Sequence, residues 1–267
     1  MKRTPVGYRQ WTAPSAAPLV QARAVFLLVH GLGAHTGRWE AMAEFFLQHG
    51  ISSYAVELHR VAGFASYNGD ILRMRDIIKK ENPSAKIFLI GESMGALIAF
   101  LFARSRPGLF DGLICISPAF ANKIKLSIAD YLKIAAALFY KPQKLFRVPF
   151  DSSMCTRDLD YRKKMDADPL ERRTASSRLL TAILFAQMRV RFGSSLGSLG
   201  LPVLFLVAGE DRMIDHRATN AIFDRLEAKD KTLVEFPGMY HALSIDIGKE
   251  AVFEKVLEWV NKRDVHS

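Results

Sequence analysis

Lys86-Ile87-Phe88-Leu89-Ile90-Gly91-Glu92-Ser93-Met94-Gly95, followed by the helix-like run Ala96 to Ala103, is the stretch that decides the fold. A charged residue and four apolar ones read as a buried strand, and the apolar run after Gly95 reads as a helix. A chain that passes from strand to helix through one sharp turn leaves its apex residue, here Ser93, in a strained backbone conformation. Glycines two residues before and after the apex let strand and helix pack closely enough for the turn to close. The Ser93 hydroxyl is thereby pushed out of the sheet, within reach of a substrate and a base. The five-residue pattern alone arises often by chance, so the segments around it must decide its meaning.

Outward from this turn, short buried strands alternate with amphipathic helices. Strands are expected at Val25 to Val29, Ile51 to Val56, Gly112 to Ser117, Val203 to Ala208 and Lys231 to Phe236. Helices are expected at Arg38 to His49, ended by Gly50, and at Asn68 to Glu81 and Lys249 to Lys262. This is the pattern of an α/β protein with a mostly parallel central sheet flanked by helices. Between Pro118 and Pro202 the strand rhythm stops, and helical patterns such as Ile128 to Phe139 and Ser176 to Arg189 replace it. Residues 1–118 and 201–267 are therefore expected to form the core, and 119–200 a helical lid inserted over the carboxyl ends of the strands. Gly193 to Gly200, rich in Ser, Gly and Leu, reads as the return from lid to core.

With 267 residues and 49% apolar content, the chain has ample material for one such core. Two cysteines, Cys115 and Cys155, are too few for a disulfide framework and lack metal-ligand spacing, and Cys115 reads as a buried core residue. The first apolar run is too short and too late for a signal peptide, and no run is long enough to span a membrane, so a cytoplasmic protein is expected. The net charge of +10 is spread along the chain, with a local excess from Lys123 to Arg191. No helix-turn-helix, zinc-finger or RNA-stacking signature accompanies it, which argues against nucleic acid and leaves a basic surface or attraction to an anionic membrane. The oligomeric state is left open.

A serine hydroxyl is a poor nucleophile at neutral pH and needs a base, which in turn needs an orienting acid. Two loops late in the chain supply both in the order acid then histidine. Asp211 follows Val203 to Ala208, and His241 follows Lys231 to Phe236. His30, His35, His59 and His216 are less well placed. Asp215 competes with Asp211 but suits the cap of a helix beginning near Arg217, and Glu210 stands third. Donors for a developing oxyanion are expected from the backbone N–H of Leu32, in His30-Gly31-Leu32-Gly33, and of Met94 at the helix N-terminus.

With these segments in place the chain resembles the α/β-hydrolase superfamily, and within it the monoacylglycerol lipase and lysophospholipase-like branch, a serine aminopeptidase S33-type family. The match rests on His30-Gly31-Leu32-Gly33-Ala34-His35-Thr36-Gly37-Arg38-Trp39, on Gly91 to Gly95, on Met154 to Asp158 through Ala167-Asp168-Pro169-Leu170, and on Asp211 and Tyr240-His241. The resemblance implies an α/β-hydrolase fold and hydrolysis of carboxylic esters, typically of lipids, with neither metal nor organic cofactor. It also implies Ser93 as nucleophile, Asp211 as acid, His241 as base, and Leu32 and Met94 as oxyanion donors. Two places depart from the pattern. The stretch Glu57 to Phe64 replaces a polar, glycine-rich loop, and Glu92 stands where many relatives carry histidine, a position that reads as support behind the reacting atoms.

An ester with a long acyl chain needs an apolar channel. In the lid, Tyr131, Leu132, Leu138, Phe139, Phe146 and Phe150 interleave with Lys133, Lys141, Lys144 and Arg147, a combination suited to an anionic interface or simply to packing against the sheet. Phe139, Phe146, Leu184, Phe185 and Met188 are the candidates to line the acyl pocket. Two other functions stay open: an esterase for short-chain or aromatic, feruloyl-type esters, and an α/β-hydrolase fold used only for binding.

Overall fold

The computed structural model describes residues 7–12, 22–58, 63–124, 126–193 and 198–264. Half of the altered Glu57 to Phe64 stretch, His59 included, and the middle of the Gly193 to Gly200 return lie outside them. In chain order the elements are β1 (Tyr8–Trp11), β2 (Ala24–Val29), α1 (Glu40–Gln48), β3 (Ile51–Val56), α2 (Phe64–Glu81), β4 (Lys86–Glu92), α3 (Met94–Ser105) and β5 (Gly112–Ile116). Then come α4 (Ile128–Tyr140), β6 (Leu145–Arg147), α5 (Ser152–Cys155), α6 (Leu159–Ala167), β7 (Thr174–Ser176) and α7 (Ser177–Phe192). The chain closes with β8 (Val203–Ala208), α8 (His216–Arg225), β9 (Lys231–Phe236) and α9 (Lys249–Asp264).

Seven strands form one sheet in the order β1-β3-β2-β4-β5-β8-β9, parallel throughout except for β1, which runs antiparallel along the edge of β3. Along the inner strands odd and even residues feed different cores. Val25, Leu27 and Val29 join Ile87 and Leu89 on the face covered by α2 and α3, whereas Ala24, Phe26 and Leu28 join Phe88 and Ile90 on the face covered by α1 and α9. Strands buried on both faces must be apolar at every position, which is why these runs show no alternation.

Strand order reverses at β2, which has β3 on one side and β4 on the other. Loops leaving the carboxyl ends of β2 and β4 therefore part in opposite directions and leave a crevice between them. The loop after β2 begins at His30 and the turn after β4 holds Ser93, so the sheet itself brings the two together.

The segment between β5 and β8 is mostly helical, but it also holds a small antiparallel ladder, Leu145 to Arg147 against Thr174 to Ser176. Three-residue strands are too short to leave a periodic signature in the sequence. Helices α4 and α7 pack together, with the Ser177 hydroxyl donating to the Ile134 carbonyl at 2.6 Å. Among the described residues no helix is long and apolar enough to cross a membrane.

Candidate active site

Ser93 sits at φ 58°, ψ −121°, one of two non-glycine residues with positive φ among those described. The neighbouring glycines show why such a turn needs them. A Cβ on Gly91 would lie 2.4 Å from the Gly95 carbonyl oxygen, and one on Gly95 would lie 2.0 Å from that of Val29. The turn is pinned from outside as well, by the Ser93 N–H donating to Ile116 O at 2.9 Å and Ala119 N–H donating to Ser93 O at 3.1 Å.

Three side chains from three strand ends meet here. His241 Nε2 lies 2.9 Å from Ser93 Oγ, and His241 Nδ1 lies 2.7 Å from Asp211 Oδ2. A carboxylate only accepts, so Nδ1 carries the proton and Nε2 presents its lone pair to the serine hydroxyl. Asp211 is aimed by its own loop, since Oδ1 accepts from the N–H groups of Met213 at 2.8 Å and Ile214 at 2.9 Å, leaving Oδ2 for the histidine. Burial opposes charge on both His241 and Asp211. For His241 the Asp211 charge and hydrogen bond outweigh it and hold the imidazole above its ordinary 6.5. For Asp211 the His241 charge and hydrogen bond, with the two backbone donors, hold the carboxyl below its ordinary range.

The loop after β2 comes close to the serine because it begins with glycine: a Cβ on Gly31 would lie 3.2 Å from Ser93 Cβ. Leu32 and Met94 both line the cavity that holds Ser93. Met94 opens α3, where a backbone N–H has no acceptor within its own helix. From behind, the loop is held by His30, whose Nδ1–H donates to Gly31 O at 2.9 Å while Nε2 accepts from Leu58 N–H at 3.0 Å. In front, Arg172 N–H donates to Gly33 O at 2.8 Å, His35 Nε2 lies 3.0 Å from Asp168 Oδ2, and Arg38 pairs with Glu171 through two nitrogens. The Asp168 to Arg172 segment between β5 and β8 thus grips the loop at three points. The other candidates are elsewhere: Asp215 caps α8 by accepting from Arg217 N–H, and His216 is the first residue of that helix.

Ser93 lines a cavity of about 420 Å³. Its walls are almost wholly apolar, with Tyr131, Leu132, Ile134 and Ala135 from α4, Val148 and Phe150 from the chain after β6, Leu180, Ile183, Leu184 and Phe185 from α7, and Met213 and Ile214 beside Asp211. Of the five residues expected to line an acyl pocket, Leu184 and Phe185 do so. Phe139, Phe146 and Met188 do not. Phe139 is 88% exposed because it lies two residues from buried Ala137, about 200° around the helix. Phe146 is half-buried on β6 opposite Ala175, with the Lys144 ammonium 5.5 Å from its ring, and only the next residues enter the wall. Met188 continues the Leu184 stripe one turn past the cavity and is 47% exposed. Tyr131, Leu132 and Phe150, named in the sequence among the apolar residues of the lid, do line the cavity; Ile134, Ala135 and Val148 carried no such signal, although Ile134 and Ala135 stand at helical spacing from Tyr131. Among the described residues no group of three His, Cys, Asp or Glu side chains could hold a metal ion.

A doubly covered parallel sheet, with a serine on the strand-to-helix turn at its switch point, defines an α/β-hydrolase. The family model described as serine aminopeptidase, S33, matches residues 20–248, and the chain belongs to that family. It is 30% identical to the monoglyceride lipase of Mus musculus, over 96% of this chain and 86% of that one, and 28% identical to that of Homo sapiens over the same shares. The fold superposes on the crystal structure of a monoacylglycerol lipase from Paleococcus ferrophilus with a TM-score of 0.85, at 24% identity, covering 97% of this chain and all of the other.

Proposed function

We propose that the protein hydrolyses carboxylic esters of lipids, monoacylglycerols or lysophospholipid-type esters, through an acyl-enzyme. The observation that carries the reading is Ser93, hydrogen-bonded to His241, lining an apolar cavity large enough for an acyl chain. Ser93 Oγ attacks the ester carbonyl as His241 Nε2 takes its proton, and Asp211 holds the imidazole and offsets the charge it gains. The Leu32 and Met94 N–H groups receive the oxyanion. His241 then protonates the leaving alcohol, activates water, and returns the proton to Ser93 as the fatty acid departs. The relatives named for monoglyceride hydrolysis agree with this reading.

Residues 119–200 act as the lid in this account, with α4 and α7 forming the roof of the acyl site. Their outer faces carry Phe139 and Phe192, the last 70% exposed, with the cavity residues Leu132 and Phe185 also reaching solvent, beside Lys133, Lys141, Arg189 and Arg191. Exposed apolar side chains fringed by cations suit contact with an anionic lipid surface, from which the substrate enters. Rates on a series of 4-nitrophenyl esters and monoacylglycerols test the substrate class. Preference for acyl chains of eight carbons or more, with monoacylglycerol turnover, is expected; preference for two to four carbons would replace this reading by a short-chain esterase.

A further inference from the structure

Glu92, the residue before the serine, is buried with its carboxylate committed to one partner. Oε1 accepts from Ser244 N–H at 3.1 Å, and the Ser244 hydroxyl lies 3.0 Å from Oε2. Ser244 stands three residues after His241. The same loop is held at other points too, among them Ala242 N–H donating to Cys155 O at 2.9 Å and buried Asp246, which accepts from Tyr240 N–H at 2.7 Å within the loop and from Arg157 outside it. Of these anchors only Glu92 belongs to the strand end that carries Ser93, so it ties the histidine's loop to the nucleophile's own strand.

We propose that Glu92 is a positioning residue for His241: it fixes the loop through Ser244 and places a second negative charge, besides Asp211, beside the imidazolium that forms when Ser93 loses its proton. This rests on the reading of Ser93, His241 and Asp211 given above. The charged groups facing His241 are Asp211 from the loop after β8, Glu92 from β4, and Arg38 from the turn before α1, and the first two favour the imidazolium while Arg38 opposes it. Arg38 is itself paired with Glu171, whose carboxylate balances the guanidinium. Burial holds the Glu92 carboxyl above its ordinary range, although Arg38, His241 and the two Ser244 donors act against that rise. Protonation of His241 therefore favours the ionised form of Glu92 at the step where its charge is useful.

The test compares Glu92→Gln with Ser244→Ala and Glu92→Asp, using kcat/KM for a 4-nitrophenyl ester across pH and the rate of fluorophosphonate labelling. Glu92→Gln keeps the size and one acceptor but removes the charge; a loss of about tenfold is expected, with the acidic limb displaced to lower pH by about one unit. Ser244→Ala keeps the charge and loosens the loop, so kcat falls while the limb stays in place. Glu92→Asp, which retains the charge but falls short of Ser244, should behave like Ser244→Ala and provides the comparison if Glu92→Gln does not fold. An unmoved limb in Glu92→Gln, or a shifted limb in Glu92→Asp, overturns the proposal. Full activity and labelling in Ser93→Ala would instead overturn the reading on which it rests.

Discussion

Asp246 is fully buried, and its two oxygens accept from four donors: Thr156 Oγ1 at 3.0 Å, Arg157 N–H at 2.6 Å, Arg157 Nε–H at 2.9 Å and Tyr240 N–H at 2.7 Å. These donors hold its carboxyl below the ordinary range although burial opposes its ionisation. Replacement by alanine leaves them unequal. Thr156 keeps a contact to Ile245 O at 3.3 Å, and the Arg157 guanidinium keeps Ile247 O and partial contact with water. The N–H groups of Arg157 and Tyr240 lose their acceptor outright. An orphaned buried donor costs about 1–3 kcal/mol, and both residues are partly buried, so Asp246→Ala should lose about 3 kcal/mol. At about 2–4 °C per kcal/mol for a chain of this size, Tm should fall by about 6–12 °C. Tyr240 precedes His241, so the freed peptide also misplaces the imidazole, and kcat should fall by as much as about 100-fold. Thermal unfolding by circular dichroism and ester turnover well below Tm separate the two effects. A Tm within about 2 °C of wild type together with unchanged kcat would show that Asp246 does not hold the loop.

Neutral His241 is the active base, and its partners hold it above 6.5, so the acidic limb of kcat/KM should have its midpoint above pH 6.5, with activity lost as pH falls through it. Asp211→Asn removes the dominant favourable charge, so the midpoint should move to lower pH and kcat should fall by about 10⁴; pH–rate profiles check both. Gly95→Ala, whose Cβ would meet Val29 O at 2.0 Å, should yield no soluble folded protein, read from expression and circular dichroism. Ala135→Trp would fill the α4 wall and move the ester preference toward shorter acyl chains. Phe139→Ala should leave turnover of dissolved short esters unchanged while weakening sedimentation with anionic vesicles.

The doubly buried strands were legible because a run such as Ala24–Val29 or Val203–Ala208 has only one way to avoid water. Ser93, His241 and Asp211 were legible because each follows such a run, and strand ends converge. Less visible were β1, an edge strand of four residues with three exposed, and the three-residue ladder of β6 and β7. The cavity wall depended on how far each helix extends past the crevice, which local pattern does not encode; Met188 shares a helical face with Leu184 yet lies beyond the cavity. Asp246 gave no signal at all. Its role comes from four donors brought together by distant segments, and a single aspartate in Ser244-Ile245-Asp246 looks like any loop residue.

That Ser93 carries the acyl group is tested by intact and peptide mass spectrometry after fluorophosphonate treatment. One adduct per chain on the peptide containing Ser93 is predicted, with loss of ester hydrolysis in step with its formation and with no adduct in Ser93→Ala. Hydrolysis that survives complete labelling of Ser93, or an inactivating adduct on another residue, would contradict it.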